Sequence, residues 1–522
     1  MKRVVALVLV IGLVFGAGVL GALTVLRSVL DSSASPSGES RGPAPTTTPE
    51  PSATRAPTAE LADFYGQVLE WSPCRTDFEC ASLTVPLDYQ DPAGDTIALA
   101  LLKVPARDVD ARIGSLVVNP GGPGVPGTSY AEQAELVFRA PLLDHFDIVG
   151  FDPRGTGGSD PVDCLSDEQL DDYVATDPDP DTAAEARDYA HWVEAFGQGC
   201  VARSGVLAAH VSTIEAARDM DVLRAALGES TLTYLGASYG TKLGATYADL
   251  FPEKVGRMVL DGAVDLSIDN RQLSLEQAAG FEGALRSYVQ NCIDETESCF
   301  LGDSADQGLA RIKLFLEQVD AEPLPTGTDR DLQVGNAFYG IVAPLYNRDY
   351  WYVLSQALRS GFGGDGSTLL ALSDLYTSRG TDGYTDNSAE AIYAITCLDD
   401  PYAIPVADVD ANVTDFERAS PTFGRVFAWG LTTCGDVQVQ STEEPRDIRA
   451  DGAPPIVVVG TTRDPATPYT WAVHLAAQLS SGVLVTRDGD GHTGYNSGNE
   501  CVDRAVESYL IDGTVPDDGL SC

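Results

Sequence analysis

Lysine is almost missing from this 522-residue chain: Lys2, Lys103, Lys242, Lys254 and Lys313 are its only copies. Arginine therefore carries most of the positive charge, and the 77 acidic residues leave a net charge of −44. A chain so short of cations builds no face for a phosphate backbone, so nucleic acid is excluded as a partner. The acidity itself reads as a solvated surface, with attraction of cationic substrates as the functional alternative. Histidine is equally scarce, with five scattered copies, and neither C-x-x-C nor H-E-x-x-H occurs. No metal and no cofactor are expected. Residues 31–60 contain almost no large apolar side chain and are rich in Ser, Pro, Thr and Ala, the composition of a spacer rather than a core.

What is present begins with an address. Lys2 and Arg3 precede an uncharged apolar run over residues 4–26, long enough to cross a bilayer. Residues 1–30 are thus a signal peptide or an N-terminal membrane anchor, and in either case the remainder is exported. The ten cysteines agree with that, because an even number in an exported chain reads as disulfides. Neighbour pairing, from Cys74 with Cys80 to Cys501 with Cys522, closes five local loops and is the expected connectivity.

From residue 61 onward, short apolar or alternating runs are bounded by Gly, Pro or Asp, as strands are. They cover residues 81–87, 96–104, 115–119, 146–151, 231–237 and 255–260. Residues 212–227 have helical periodicity, with Ser212 placed as N-cap and Gly228 at the end. A long, mostly helical interval follows, residues 265–454, with helices expected over 275–289 (capped by Ser274) and 309–319. Strand signals resume at 456–460 and 483–486, between helical segments 469–479 and 502–510. Strands alternating with helices on both sides of a helical insertion predict one mostly parallel α/β sheet with helices on both faces. The expected division is a core over 61–264 and 455–522, with a cap over 265–454.

The stretch Gly236-Ala237-Ser238-Tyr239-Gly240 sits between a strand and a helix, the setting of a nucleophile elbow. Two further glycine clusters directly follow strands: Gly121-Gly122-Pro123-Gly124 and Gly155-Thr156-Gly157-Gly158. Backbone is brought close there to something on the sheet's carboxyl edge, where open α/β sheets bind ligands. In the α/β-hydrolase fold the nucleophile is followed in the chain by the acid and then the base. His145, His191 and His210 precede Ser238 and drop out, and His474 lies inside a helical pattern. His492 and Asp464 remain, each in a loop just after a strand. Ser238, Asp464 and His492 are therefore the expected catalytic residues. The oxyanion donors are expected at the N–H of Tyr239 and of Gly122, because Pro123 has none to give.

This set of motifs resembles the proline-iminopeptidase-related α/β-hydrolase peptidases, and within them the secreted actinobacterial tripeptidyl aminopeptidases. It comprises GGPG, D-x-R-G-x-G, GASYG, the strand-end TRDP and the late GH. Pro120 stands where proline iminopeptidases carry histidine. The resemblance implies a serine exopeptidase acting on peptides with a free N-terminus, with an esterase or lipase as the alternative. An aminopeptidase must hold an ammonium group, and Asp399, after an apolar run in the cap, is the candidate substrate-binding carboxylate.

Overall fold

The computed structural model describes residues 53–75, 77–441 and 446–522. The apolar run over residues 4–26 and most of the spacer lie outside the described residues. No helix among the described residues is long and apolar enough to cross a membrane.

The strand signals assemble into one sheet. Its members are β1 (Ser72–Cys74), β2 (Phe78–Pro86), β3 (Thr96–Val104), β4 (Gly114–Asn119), β5 (Phe146–Phe151), β6 (Leu232–Ala237), β7 (Val255–Asp261), β8 (Ile456–Arg463), β9 (Gly482–Asp490) and β10 (Leu520–Ser521). They stand in the order 1-2-3-5-4-6-7-8-9-10. Pairing is antiparallel among β1, β2, β3 and β5 and parallel across the rest. The outermost strands, β1 and β10, are only three and two residues long. Neither was expected, being too short to show a periodicity. Each lies beside a disulfide, Cys74–Cys80 or Cys501–Cys522.

The central strands read as unbroken apolar runs because both faces of the sheet are covered. In β8, Ile456 and Val458 enter one core while Val457 and Val459 enter the other. Helices α1 (Asp167–Ala175) and α2 (Ala183–Ser204) follow β5, α3 (Thr213–Ala226) leads into β6, and α4 (Tyr239–Leu250) leaves it. The interval between β7 and β8 holds α5 (Asn270–Glu295), α6 (Ala305–Ala321), α7 (Val334–Val342), α8 (Trp351–Phe362), α9 (Ser367–Tyr376), α10 (Ser388–Asp399), α11 (Asp410–Ala419) and α12 (Gly424–Gly430). α13 (Tyr469–Gln478) joins β8 to β9, and α14 (Glu500–Asp512) follows β9. Met220 and Leu223 of α3, Leu243 of α4 and Leu475 of α13 fill one side of the sheet. Val502, Val506 and Leu510 of α14 fill the other.

One sequence expectation needs correction. α5 starts at Asn270 and is capped by Asp269, whose side chain accepts the Gln272 N–H; Ser274 lies within the helix and donates to Phe427 O instead. The helices of the interval 265–454 pack in more than one way. Helices α5 to α9 enclose a core of their own, with Leu285, Ile312, Phe338 and Leu354 at its centre. The apolar face of α10, including Ala391, Ile395 and Leu398, packs with α3 and α4 in the core of the sheet. Conversely, α1, which precedes Ser238 in the chain, reaches the roof: Gly335 of α7 is pressed so close to Val174 O and Thr176 O that a Cβ there would sit 2.3 and 2.4 Å from them. All five disulfides join neighbouring cysteines, as expected.

Candidate active site

Ser238 sits on the turn between β6 and α4 with φ 56° and ψ −126°. A non-glycine residue is held in such a conformation only where its surroundings impose it. Here the Ser238 N–H donates to Asp261 O at 2.9 Å, and its own C=O accepts the Thr241 N–H at 2.8 Å. The flanking glycines are demanded by contact. A Cβ on Gly236 would lie 2.4 Å from Gly240 O, and one on Gly240 would lie 2.9 Å from Asn119 O. The G-x-S-x-G spacing is thus a packing requirement of the turn itself.

The turn after β4 runs against this elbow. A Cβ on Gly121 would meet Ala237 O at 2.6 Å, Ser238 Cβ at 2.8 Å and Tyr239 N at 2.9 Å. The Gly121 N–H is already taken, donating to Asn119 Oδ1 at 2.9 Å. The N–H groups of Gly122 and Tyr239 enter no hydrogen bond among the described residues. The second glycine cluster differs. Its N–H groups are spent internally: Gly155 to Ser159 O, Gly157 to Asn387 Oδ1 and Gly158 to Asp152 Oδ2. That turn ties the sheet to the start of α10 and offers no donors to a ligand.

His492 and Asp464 are brought together at the ends of β8 and β9. His492 Nδ1 lies 2.9 Å from both Asp464 oxygens. Asp464 also accepts the N–H groups of Ala466 and Thr467 at 2.9 Å and of Thr493 at 3.2 Å, which fixes its plane. Thr467 Oγ1 stands 3.3 Å from the same ring nitrogen. The opposite nitrogen, Nε2, is buried and has no hydrogen-bond partner among the described residues. The ring lies over the elbow's own anchor: a Cβ on Gly262, next to the Asp261 carbonyl that holds Ser238 N, would be 3.1 Å from His492 Cε1. Burial lowers the proton affinity of His492, but the charge and hydrogen bond of Asp464, with the charge of Asp261, outweigh it. The net shift is above the ordinary histidine value. From the roof, Tyr346 accepts the His492 N–H on its carbonyl at 2.7 Å and sets its ring edge-on to the imidazole, 5.5 Å between centroids. His474 pairs instead with Asp265, and His210 with Glu215.

Asp399 comes close to the elbow but is not an open carboxylate. It ion-pairs with Lys242 Nζ at 2.7 Å, accepts the Thr213 N–H at 2.8 Å and accepts the Thr213 hydroxyl. Thr213 Oγ1 in turn lies 2.6 Å from Tyr239 OH. The carboxylate expected to receive an ammonium group is thus already engaged in a network reaching the residue after Ser238. Sequence reading also missed Asp261 and Tyr346. Asp261 could have been flagged as an acid closing a strand; Tyr346 carries no local signal.

Residues 420–522 match the family model described as TAP-like protein. Serine protease Hip1 from Mycobacterium tuberculosis is 39% identical over 487 residues, which cover 88% of this chain and 91% of that protein. A carboxylesterase B from the same organism is 36% identical over 497 residues, covering 91% and 93%. Tripeptidyl aminopeptidase from Streptomyces lividans is 31% identical over 469 residues, covering 87% and 86%. Similarity of this extent spans both halves of the sheet and the roof between them, and the chain belongs to the TAP-like α/β-hydrolase serine peptidases.

Proposed function

We propose that this protein is an exported serine exopeptidase that releases short peptides, tripeptides foremost, from free N-termini. The observation that carries the reading is the histidine. Its Nδ1 is bracketed by a fixed carboxylate, its buried Nε2 has no hydrogen-bond partner among the described residues, and its ring lies beside Gly262, next to the residue whose carbonyl holds the Ser238 N–H. Asp464 holds the ring with the proton on Nδ1, so Nε2 is the basic atom. Ser238 Oγ attacks the scissile carbonyl carbon and passes its proton to Nε2. The negative charge forming on the carbonyl oxygen is met by the N–H groups of Tyr239 and Gly122. Collapse breaks the C–N bond, with His492 returning the proton to the leaving amine. Water, deprotonated by the same nitrogen, then releases the acyl group from Ser238.

Support for peptides as substrates comes from the relatives named as a serine protease and a tripeptidyl aminopeptidase. Five disulfides agree with an oxidising, exported setting, and residues 4–26 are proposed as its signal or anchor. Asp399 serves in this reading as a brace on Tyr239 through Thr213. A second reading, ester hydrolysis by the same residues, is favoured by the relative named as a carboxylesterase. One panel separates them: aminoacyl, dipeptidyl and tripeptidyl anilides beside a short-chain nitrophenyl ester. Preference for the tripeptidyl anilide supports the exopeptidase, and cleavage of the ester alone overturns it. Ser238→Ala, His492→Ala and Asp464→Asn should each remove nearly all turnover while leaving the fold intact. The first two should cost about as much singly as together.

A further inference from the structure

We propose that Asp261 is a second carboxylate of the active site: a positioning residue that holds the His492 loop in register with the serine turn. The inference rests on the Ser238–His492–Asp464 reading above and goes beyond it by assigning work to a residue outside the triad. Asp261 ends β7 and is 2% exposed. Its main chain and its side chain face opposite halves of the site. The carbonyl takes the Ser238 N–H at 2.9 Å. The carboxylate takes the N–H groups of Gly494 at 2.7 Å and Tyr495 at 2.9 Å, the residues that follow His492 and Thr493. One residue thereby ties the His492 loop to the serine turn, its carboxylate reaching Gly494 across 233 positions of chain.

The rest of that loop is held as fully. Arg487 donates to the carbonyls of Asp490 at 3.1 Å, Thr493 at 3.5 Å and Ser497 at 3.1 Å. Asp464 takes the Thr493 N–H, and Asp503 takes that of Asn496 at 2.7 Å. Among the described residues that hold this loop, Asp261 alone also hydrogen-bonds to the serine turn. Its charge acts on His492 as well, favouring the imidazolium that forms when Ser238 is deprotonated. The other titratable groups facing Asp261 are Asp464 from the loop after β8, Arg487 from β9, and Tyr130 beside β4. Burial, the largest influence, with a smaller push from Asp464, raises the proton affinity of Asp261 against the pull of its two N–H donors and of His492.

Asp261→Asn tests this. The amide offers one oxygen to two N–H groups, so one of Gly494 and Tyr495 loses its acceptor and the charge beside His492 disappears. Two readouts are followed in the full-length protein: the pH profile of kcat/KM on the best anilide, and the rate of Ser238 labelling by a fluorophosphonate. The expected result is a fall in kcat and labelling rate of roughly tenfold or more, with KM little changed and the acid limb moved to lower pH. Asp261→Glu, which restores the charge but not the reach, should return the acid limb toward the parent position while turnover stays low. Parent-like labelling and an unmoved acid limb in Asp261→Asn overturn the inference, as does a rate loss in which the acid limb stays put. If Asp261→Asn does not fold, Asp261→Glu alone decides: full parent turnover from it overturns the inference. Failure of the parent protein itself to label at Ser238 is a different outcome, because it removes the proposed function and this inference with it.

Discussion

Gly121→Ala perturbs the proposed oxyanion pocket through the turn that carries the Gly122 N–H, with its methyl carbon also 2.8 Å from Ser238 Cβ. Gly121 has φ +97°, a left-handed conformation that costs an alanine about 1–3 kcal/mol. The added methyl carbon would also lie 2.6 Å from Ala237 O and 2.9 Å from Tyr239 N, both main-chain atoms of the elbow that cannot swing aside. The turn must therefore draw back by several tenths of an ångström, carrying the Gly122 N–H away from the site where charge develops. Loss of one oxyanion donor is worth roughly 10²–10³ in kcat, about 2.7–4 kcal/mol, and acts on the transition state rather than on binding. The expected result is kcat reduced about a hundredfold, KM within a few-fold of the parent, and a small loss of thermal stability. Steady-state kinetics on the tripeptidyl anilide, with circular dichroism as the control for folding, measure both. A variant that folds and keeps kcat within about threefold would refute the placement of the pocket between Gly122 and Tyr239.

Asp399→Asn should lower kcat by similar factors on free and N-acetylated peptides, because the network reaches Tyr239; a loss confined to the free amine would return Asp399 to ammonium binding. N-acetylation of a good substrate should itself reduce kcat/KM in the parent by roughly a hundredfold if the roof holds an ammonium group. Activity and stability should run in opposite directions with pH. The raised proton affinity of His492 makes kcat/KM fall as pH drops through a value above 6.5, which a pH profile reads. Asp261, raised to about 6 by burial, and Asp179, raised to about 8 by burial and the adjacent Asp177 charge, bind protons more tightly folded than unfolded. Their contribution to stability is complete below the unfolded carboxylate value and is lost as pH rises through those figures, so Tm should rise between pH 8 and pH 5.5. Replacing Cys397 and Cys434 by serine opens a loop of sequence separation 37 and should lower stability by about 3–4 kcal/mol in denaturant titration.

The serine turn and the meeting of His492 with Asp464 were legible because each requirement is local. A strand end, a small-residue turn and a helix start leave their marks within a dozen residues. The sheet was legible for a similar reason, since burial on both faces writes apolar runs. The assignment of helices to the roof was not. The apolar residues of α10 read the same whether they face the roof or the sheet, and the choice is settled by partners such as Cys164, whose N–H donates to Glu390 at 2.7 Å across 226 positions. The pairing of Asp399 was hidden for the same reason. Its partner Thr213 lies 186 residues earlier, and an aspartate after an apolar run carries no mark of being already paired. Asp269 displaced Ser274 as a cap because either residue type serves, and only the path of the chain chooses between them.

The anchoring of α10 ties the roof to the proposed oxyanion turn. Asn387, at its start, grips Gly155 O, Val162 O and the Gly157 N–H, and Glu390 holds Cys164 and Leu165. Gly124 of the oxyanion turn sits where a Cβ would be 2.7 Å from Ala391 Cβ. A sliding displacement of α10 would drag the proposed oxyanion pocket with it and stop the chemistry. An opening that admits a peptide without disturbing the proposed oxyanion turn therefore leaves α10 in place.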